Sequence, residues 1–127
     1  MTMTMKDLVS DARSRVDAVS PEEAEEAMRN GDLILDVREP VELEKDGRIA
    51  GALHIPRGIL KTRADATAQT AEARLTETQS CGRVHVLCAS GGRATLAADT
   101  LRRMGYEADL IEGGLGGWKS AGLSVES

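Results

Sequence analysis

The feature that most constrains this chain is an alternation. Short apolar runs, LILDV (33–37), ALHIP (52–56), RVHVLC (83–88) and EADLIEG (107–113), are separated by polar stretches carrying helix signals. LILDV is nearly continuous in apolar residues, the pattern of a strand covered on both faces. A repeated strand–helix order predicts an α/β fold with a mostly parallel sheet and helices on both faces. At 127 residues the chain is long enough for one domain with a single core. The core must be aliphatic, because the sequence holds one Trp, one Tyr and no Phe.

The intervening segments can be placed from their punctuation. Leu8, Val9, Ala12 and Val16 share one face at helical spacing, so 6–15 reads as a short amphipathic helix, packed on its own domain or on a second copy. Val16–Val19 reads as a short edge strand. In SPEEAEEAMRNG, Ser20 is a candidate N-cap, Pro21 fits the first helical position, Glu23 completes a capping box and Gly31 suits the stop. The glutamates there lie at the positive end of the helix dipole and read as a solvated face. A helix begun by Pro40 ends near Gly47. Residues 57–80 read as one or two surface helices anchored by Leu60 and Leu75. RATLAADTLRRMG places Ala97, Leu101 and Met104 on one stripe, with Gly105 as stop, and GGLGGWKSAG closes with a short helix.

Charge and length exclude several functions. The net charge of −5 and the scarcity of aromatic residues argue against nucleic-acid binding, which needs a basic face and stacking platforms. No run approaches the ~20 apolar residues of a membrane span. The N-terminal MTMTMKDLVSDARSRV lacks the continuous apolar core of a secretory signal. Cys81 and Cys88 fall at opposite ends of one predicted strand. An extended stretch of that length reaches about 20 Å, whereas bridged Cα atoms lie about 4.4–6.8 Å apart. Two free thiols fit a reducing compartment, and a cytoplasmic location is expected.

Chemistry concentrates in HVLCASGGRAT (85–95). Cys88 ends a central-looking strand, and in parallel α/β sheets ligands bind beyond the carboxyl ends of strands. Ala89, Ser90, Gly91 and Gly92 are small enough for their amides to converge as an anion-binding nest, and the next helix begins near Arg93. Helix N-termini and nearby cations favour the thiolate, the reactive form of cysteine. A structural cysteine would need neither the loop nor the arginine.

Two chemistries suit such a thiolate: attack on phosphorus, as in cysteine-dependent phosphatases, and attack on a sulfane sulfur to give a persulfide. Cys88 to Arg93 is C-x4-R, one residue shorter than the C-x5-R of those phosphatases. The shorter loop closes a smaller cavity, suited to one added sulfur atom.

CASGGRA resembles the six-residue active-site loop of the rhodanese (sulfurtransferase) family. LILDVREPVELEKDGRIAGALHIP is similar to the family's D-V-R-x-x-x-E stretch and the G-H-I-P-G-A and I-P that follow. EGGLGGWKSAG resembles its closing G-G-x-x-x-W segment. The resemblance spans about residues 17–124. It implies a three-layer α/β/α sandwich on a five-stranded sheet, with residues 1–16 as a helical extension and 17–127 as the domain. It also implies Cys88 as nucleophile and sulfur carrier, assisted by Arg93, with the amides of residues 89–93 cradling the persulfide. Arg48 and Ala50 stand where the family commonly has His and Pro, and Ala94 where many members have Ser.

The resulting expectation is a single-domain, thiosulfate-type sulfurtransferase. It would take a sulfane sulfur from a small anionic donor and pass it to a thiol or cyanide acceptor, protein thiols included. The intermediate is covalent, so no dissociable cofactor is expected; two histidines without nearby ligand spacing give little support for a metal, and the chain would be a monomer or weak dimer. A non-enzymatic binding or sulfur-sensing module and a phosphatase or arsenate reductase are the competing functions. Asp36 and Arg38 read as an ion pair bracing the sheet end, with Arg38 also shaping the field at the site and Glu42 joining their network. Arg57, Lys61 and Arg63 are placed to rim the mouth and attract an anion. His54 and His85 fall in predicted strands and read as structural, Trp118 as a packing anchor, and Cys81 as an ordinary thiol.

Overall fold

The computed structural model describes residues 2–127. Five strands form one sheet: β1 (Ala18–Val19), β2 (Leu33–Asp36), β3 (Leu53–His54), β4 (Val84–Leu87) and β5 (Ala108–Ile111). Their order is β1-β5-β4-β2-β3, and every pairing is parallel. Seven α-helices accompany them among the described residues: α1 (Met5–Arg13), α2 (Pro21–Arg29), α3 (Pro40–Asp46), α4 (Leu60–Ala64), α5 (Ala73–Thr76), α6 (Gly92–Arg103) and α7 (Gly114–Ser120). Parallel strands need crossovers, and the crossovers here cover both faces, so the strands are apolar throughout. All residues of β2, β4 and β5 are buried.

Two core layers follow from the strand pleat. On one face Leu33, Leu35, Val84, Val86, Ala108 and Leu110 pack with Ala97 and Leu101 of α6, and with Leu60 and Leu75, the anchors of the 57–80 segment. On the other, Ile34, Leu87 and Ile111 meet Ala24 of α2 and Leu115 and Trp118 of α7. Each fully buried aliphatic side chain contributes about 1.5–3 kcal/mol. The Trp118 indole N–H donates to the carbonyl of Ser124 at 3.0 Å, satisfying its polar end and pinning the C-terminal tail. Arg48, at the position that departs from the rhodanese pattern, pairs its backbone with Glu126 through two 2.8 Å hydrogen bonds.

Helix starts obey local chemistry. Ser20 and Glu23 exchange side-chain and backbone hydrogen bonds in a capping box, as do Thr4 and Asp7 at the start of α1. Several elements are shorter than their sequence signals, because a strand lasts only as long as it has a partner. ALHIP yields the two residues of β3, paired with the last two of β2. α1 lies on α6 of the same chain: Arg15, just past its end, holds Asp99 of α6 with two 2.9 Å hydrogen bonds, and Ala12 and Val16 are buried.

The strand order creates the site. From β2 the chain moves outward to β3, and from β4 it moves the other way to β5. Beyond the carboxyl ends of β2 and β4 the connections therefore diverge and leave a crevice. Cys88 is the first residue after β4.

Candidate active site

The backbone after β4 turns sharply at Gly91, whose φ of +125° is a conformation that glycine adopts without strain. The Gly91 N–H donates to Cys88 Sγ at 3.0 Å. Thr95, one turn into α6, locks this turn by donating both its N–H and its hydroxyl to the Gly91 carbonyl, at 2.9 and 2.7 Å. Among the described residues, the amides of Ala89, Ser90, Gly92 and Arg93 have no protein acceptor. Four free donors, set at the N-terminus of a twelve-residue helix, make the loop a place for negative charge. Ala89 and Ser90 are exposed, whereas Cys88 is 1% exposed, so the sulfur lies on the floor of the loop.

The loop is also held from below. The N–H of Leu115 donates to the Cys88 carbonyl at 2.8 Å, and that of Gly116 to the Ala89 carbonyl at 3.3 Å. The N-terminus of α7 thus grips the two carbonyls. This close approach requires glycine at 114, which has a φ of +59°. A Cβ there would lie 2.5 Å from the Cys88 carbonyl oxygen. Sequence reading assigned GGLGGW to a closing helix and missed this role. The paired glycines were the available signal, since they mark close backbone approach.

Arg93 and Glu42 bridge the crevice. The guanidinium donates to the two carboxylate oxygens at 2.6 and 2.8 Å, a bidentate pair between α6 and α3. The hydrogen bonds from Arg93 hold the Glu42 carboxyl at about 2, despite burial acting in the opposite direction. Arg93 is raised above its ordinary value, chiefly by Glu42, with the Cys88 sulfur adding a smaller contribution. This corrects the expectation that Glu42 joins the Asp36–Arg38 network. Arg38 lies in a different direction and influences Glu42 only through its charge.

Arg38 itself is 1% exposed. Its side chain donates to Asp36 at 2.8–3.2 Å and to the Gly47 carbonyl at 2.8 Å, stitching the end of β2 to the end of α3. The side chain is closed to solvent, as Cys88 is, and its Nη1 has no hydrogen-bond partner among the described residues. A buried guanidinium without its carboxylate would be very costly, and that cost explains the D-x-R spacing.

A cavity of about 410 Å³ opens beside Arg93, lined by Glu39, Arg57, Gly58, Leu60, Lys61, Arg93, Ala97 and Thr100. Arg57 and Lys61 thus share a cavity with Arg93, whereas Cys88 and residues 89–92 are not part of its lining. Arg63 does not line it: it reaches the carbonyl of Thr70 instead, at 3.5 Å. Neither histidine joins the site. His54 Nε2 contacts the Arg38 carbonyl at 2.6 Å, and His85 is held between Asp109 and Asp32. Cys81 is exposed and Cys88 buried, both as free thiols.

The model of the rhodanese-like domain family matches residues 20–121. The Bacillus subtilis protein named "Putative sulfur carrier protein YrkF" is 35% identical over 74 residues, which are 58% of this chain and 34% of that protein. The chain therefore spans about a third of this curated relative's length. A Rhodopseudomonas palustris protein of unknown function, RPA3614, described as a possible tyrosine phosphatase, superposes with a TM-score of 0.90 at 32% identity, covering 99% of this chain and 96% of that one. A rhodanese-related protein from Thermoplasma volcanium superposes at 0.66 with 28% identity, covering 85% and 95%.

Proposed function

Because the chain belongs to the rhodanese-like domain family, we propose that it is a sulfurtransferase that carries a sulfane sulfur on Cys88. The observation that carries this reading is the 3.0 Å hydrogen bond from the Gly91 amide to Cys88 Sγ, inside a loop with four further amides free. An ordinary buried thiol needs no such donors. A cysteine that must bear negative charge on its own sulfur, and then on a second sulfur bonded to it, does.

The reaction divides into two displacements. The Cys88 thiolate attacks the outer sulfur of a small anionic donor such as thiosulfate. The donor's S–S bond breaks, sulfite leaves with the electron pair, and Cys88 holds a persulfide whose terminal sulfur bears the charge. A thiolate or cyanide then attacks that terminal sulfur, and Cys88 Sγ departs as thiolate. Sulfite leaves without needing a proton, so the remoteness of His54 and His85 is no obstacle. Arg57 and Lys61 draw the anionic donor, and the slender outer sulfur is the part that reaches a floor-level nucleophile. The name of YrkF, a sulfur carrier, supports sulfur as the cargo.

RPA3614 brings phosphoryl transfer into view as a second reading. The C-x4-R spacing speaks against it, because a phosphoryl group with its oxygens needs a wider ring of amides than four intervening residues enclose. Incubation with thiosulfate and cyanide decides between them. Thiocyanate should form with the wild type and fall to background in Cys88→Ser. Release of phosphate from an aryl phosphate, with no thiocyanate, would overturn the sulfur reading.

A further inference from the structure

The family match begins at residue 20, so α1 lies outside it. The helix is nonetheless built onto the element that follows the sulfur loop. Met5 Cε and Val9 Cγ2, one turn apart on α1, lie 3.9 and 3.8 Å from where a Cβ on Gly92 would stand. Gly92 is the first residue of α6, and its amide is one of the four free donors. Its φ is not positive, so the backbone does not demand glycine there, and a methyl would rest against α1 without a clash. Further along, Arg15 holds Asp99 of α6 with two 2.9 Å hydrogen bonds, and Ala12 and Val16 are buried. Arg13 reaches Glu112 at 3.4 Å. Glu112 precedes Gly113 and Gly114, the turn from which α7 grips the carbonyls of Cys88 and Ala89. The N-terminal helix is thus tied to both elements that fix the loop.

These ties differ in weight. The Arg13–Glu112 pair is exposed on both sides and contributes little. Arg15, Ala12 and Val16 anchor α1, but Asp99 stands about two turns of α6 beyond Gly92. Met5 and Val9 meet α6 at its start, at a residue whose amide is free for the sulfur. We propose that Met5 and Val9 are positioning residues: acting through Gly92, they hold the first turn of α6 so that its amides stay aimed at the negative charge on Cys88. The proposal rests on the sulfur-transfer reading and gives residues outside the family match a share in it. Its physical ground is preorganisation, since donors stabilise charge best when they are already directed at it. A site of this kind tolerates only about 0.5 Å of play. The N–H groups of a helix's first turn have no partners inside the helix, so hydrogen bonds do little to fix them. Gly92 has no side chain with which to pack that turn, and α1 supplies the missing contact. Met5 is 49% exposed, so the core does not depend on it.

The test is made in a Cys81→Ser background, which leaves Cys88 as the sole cysteine. Alkylation by iodoacetamide is followed against pH in this parent, in Met5→Ala/Val9→Ala, in Met5→Leu/Val9→Ile and in Leu8→Ala. Leu8 lies on the same helix but has no atom within 4 Å of the Gly92 Cβ position. The alanine pair should move the rate profile upward by about half a pH unit, roughly threefold in rate on its acid limb, with the alkaline plateau unchanged. Sulfur loading from thiosulfate should slow by the same factor near neutrality. The conservative pair and Leu8→Ala should keep the parent profile. Urea unfolding is measured alongside. A lower midpoint with an unmoved profile makes α1 a structural element only and overturns the proposal. So does a shift that the conservative pair or Leu8→Ala reproduces. Should the alanine pair not fold, Met5→Ala alone must move the profile in the same direction, and an unmoved one overturns the proposal. A parent protein that forms no thiocyanate removes the sulfur-transfer reading, while the alkylation profiles still decide what α1 does.

Discussion

A methyl group at position 114 would collide with the sulfur loop. Gly114→Ala places a Cβ 2.5 Å from the Cys88 carbonyl oxygen and 2.6 Å from that of Ala89, at a φ of +59°. The substitution should cost about 1–3 kcal/mol in urea unfolding and lower thiocyanate formation by displacing the loop. Gly116→Ala is the control, because its Cβ would meet only the Ala89 oxygen, at 3.9 Å. Glu42 makes a second prediction. Its folded-state carboxyl lies below its ordinary value, at about 2, so its contribution is complete above about pH 4.5 and disappears as the pH falls to about 2. Glu42→Gln should destabilise the protein by about 1 kcal/mol near neutrality and remove that part of the acid limb of a stability–pH curve. Cys88 and Arg93 were legible in the sequence because strand end, small residues and arginine are contiguous. The partner of Glu42 was not. Arg38 is nearer along the chain, but only the fold shows that α3 leans toward α6 across the crevice.

Elements are held together at the opposite end of the sheet by His85. Its two ring nitrogens lie 2.6 Å from Asp109 on β5 and 2.8 Å from Asp32, just before β2. Both nitrogens face carboxylates, an arrangement that favours the doubly protonated ring. Burial works against this charge, but the two carboxylates outweigh it and raise His85 above its ordinary value of about 6.5. A raised histidine stabilises fully below its unfolded value and loses that contribution as the pH rises through the folded one. Urea midpoints should therefore fall as the pH climbs above about 6.5, and His85→Asn should flatten that slope. A wild-type profile with no decline on the alkaline side would contradict the assignment. The strand bearing His85 was readable from RVHVLC, and a structural role for the ring followed from it. Its partners were not, because Asp32 and Asp109 become neighbours only once β2, β4 and β5 lie side by side. Short elements were blurred for a related reason: two-residue strands are defined by pairing, which leaves no period to detect.

For the whole molecule, alternating strands and helices sufficed to predict parallel layers, because crossovers leave little other choice. The order β1-β5-β4-β2-β3 was not contained in that pattern, yet it decides where the crevice opens. Cys88 is functional in this account because the chain reverses direction across the sheet between β2 and β4. The acidic balance of −5 surrounds a cavity whose Arg57 and Lys61 have no salt-bridge partner among the described residues, so the local charge and the net charge differ in sign there. The central claim is that this architecture stabilises a second sulfur on Cys88. Intact-mass measurement after exposure to thiosulfate, followed by cyanide, tests it most directly. The account predicts a gain equal to one sulfur atom, localised to Cys88, absent in Cys88→Ser and reversed by cyanide. A wild-type mass that never changes, or a gain that survives in Cys88→Ser, would contradict it.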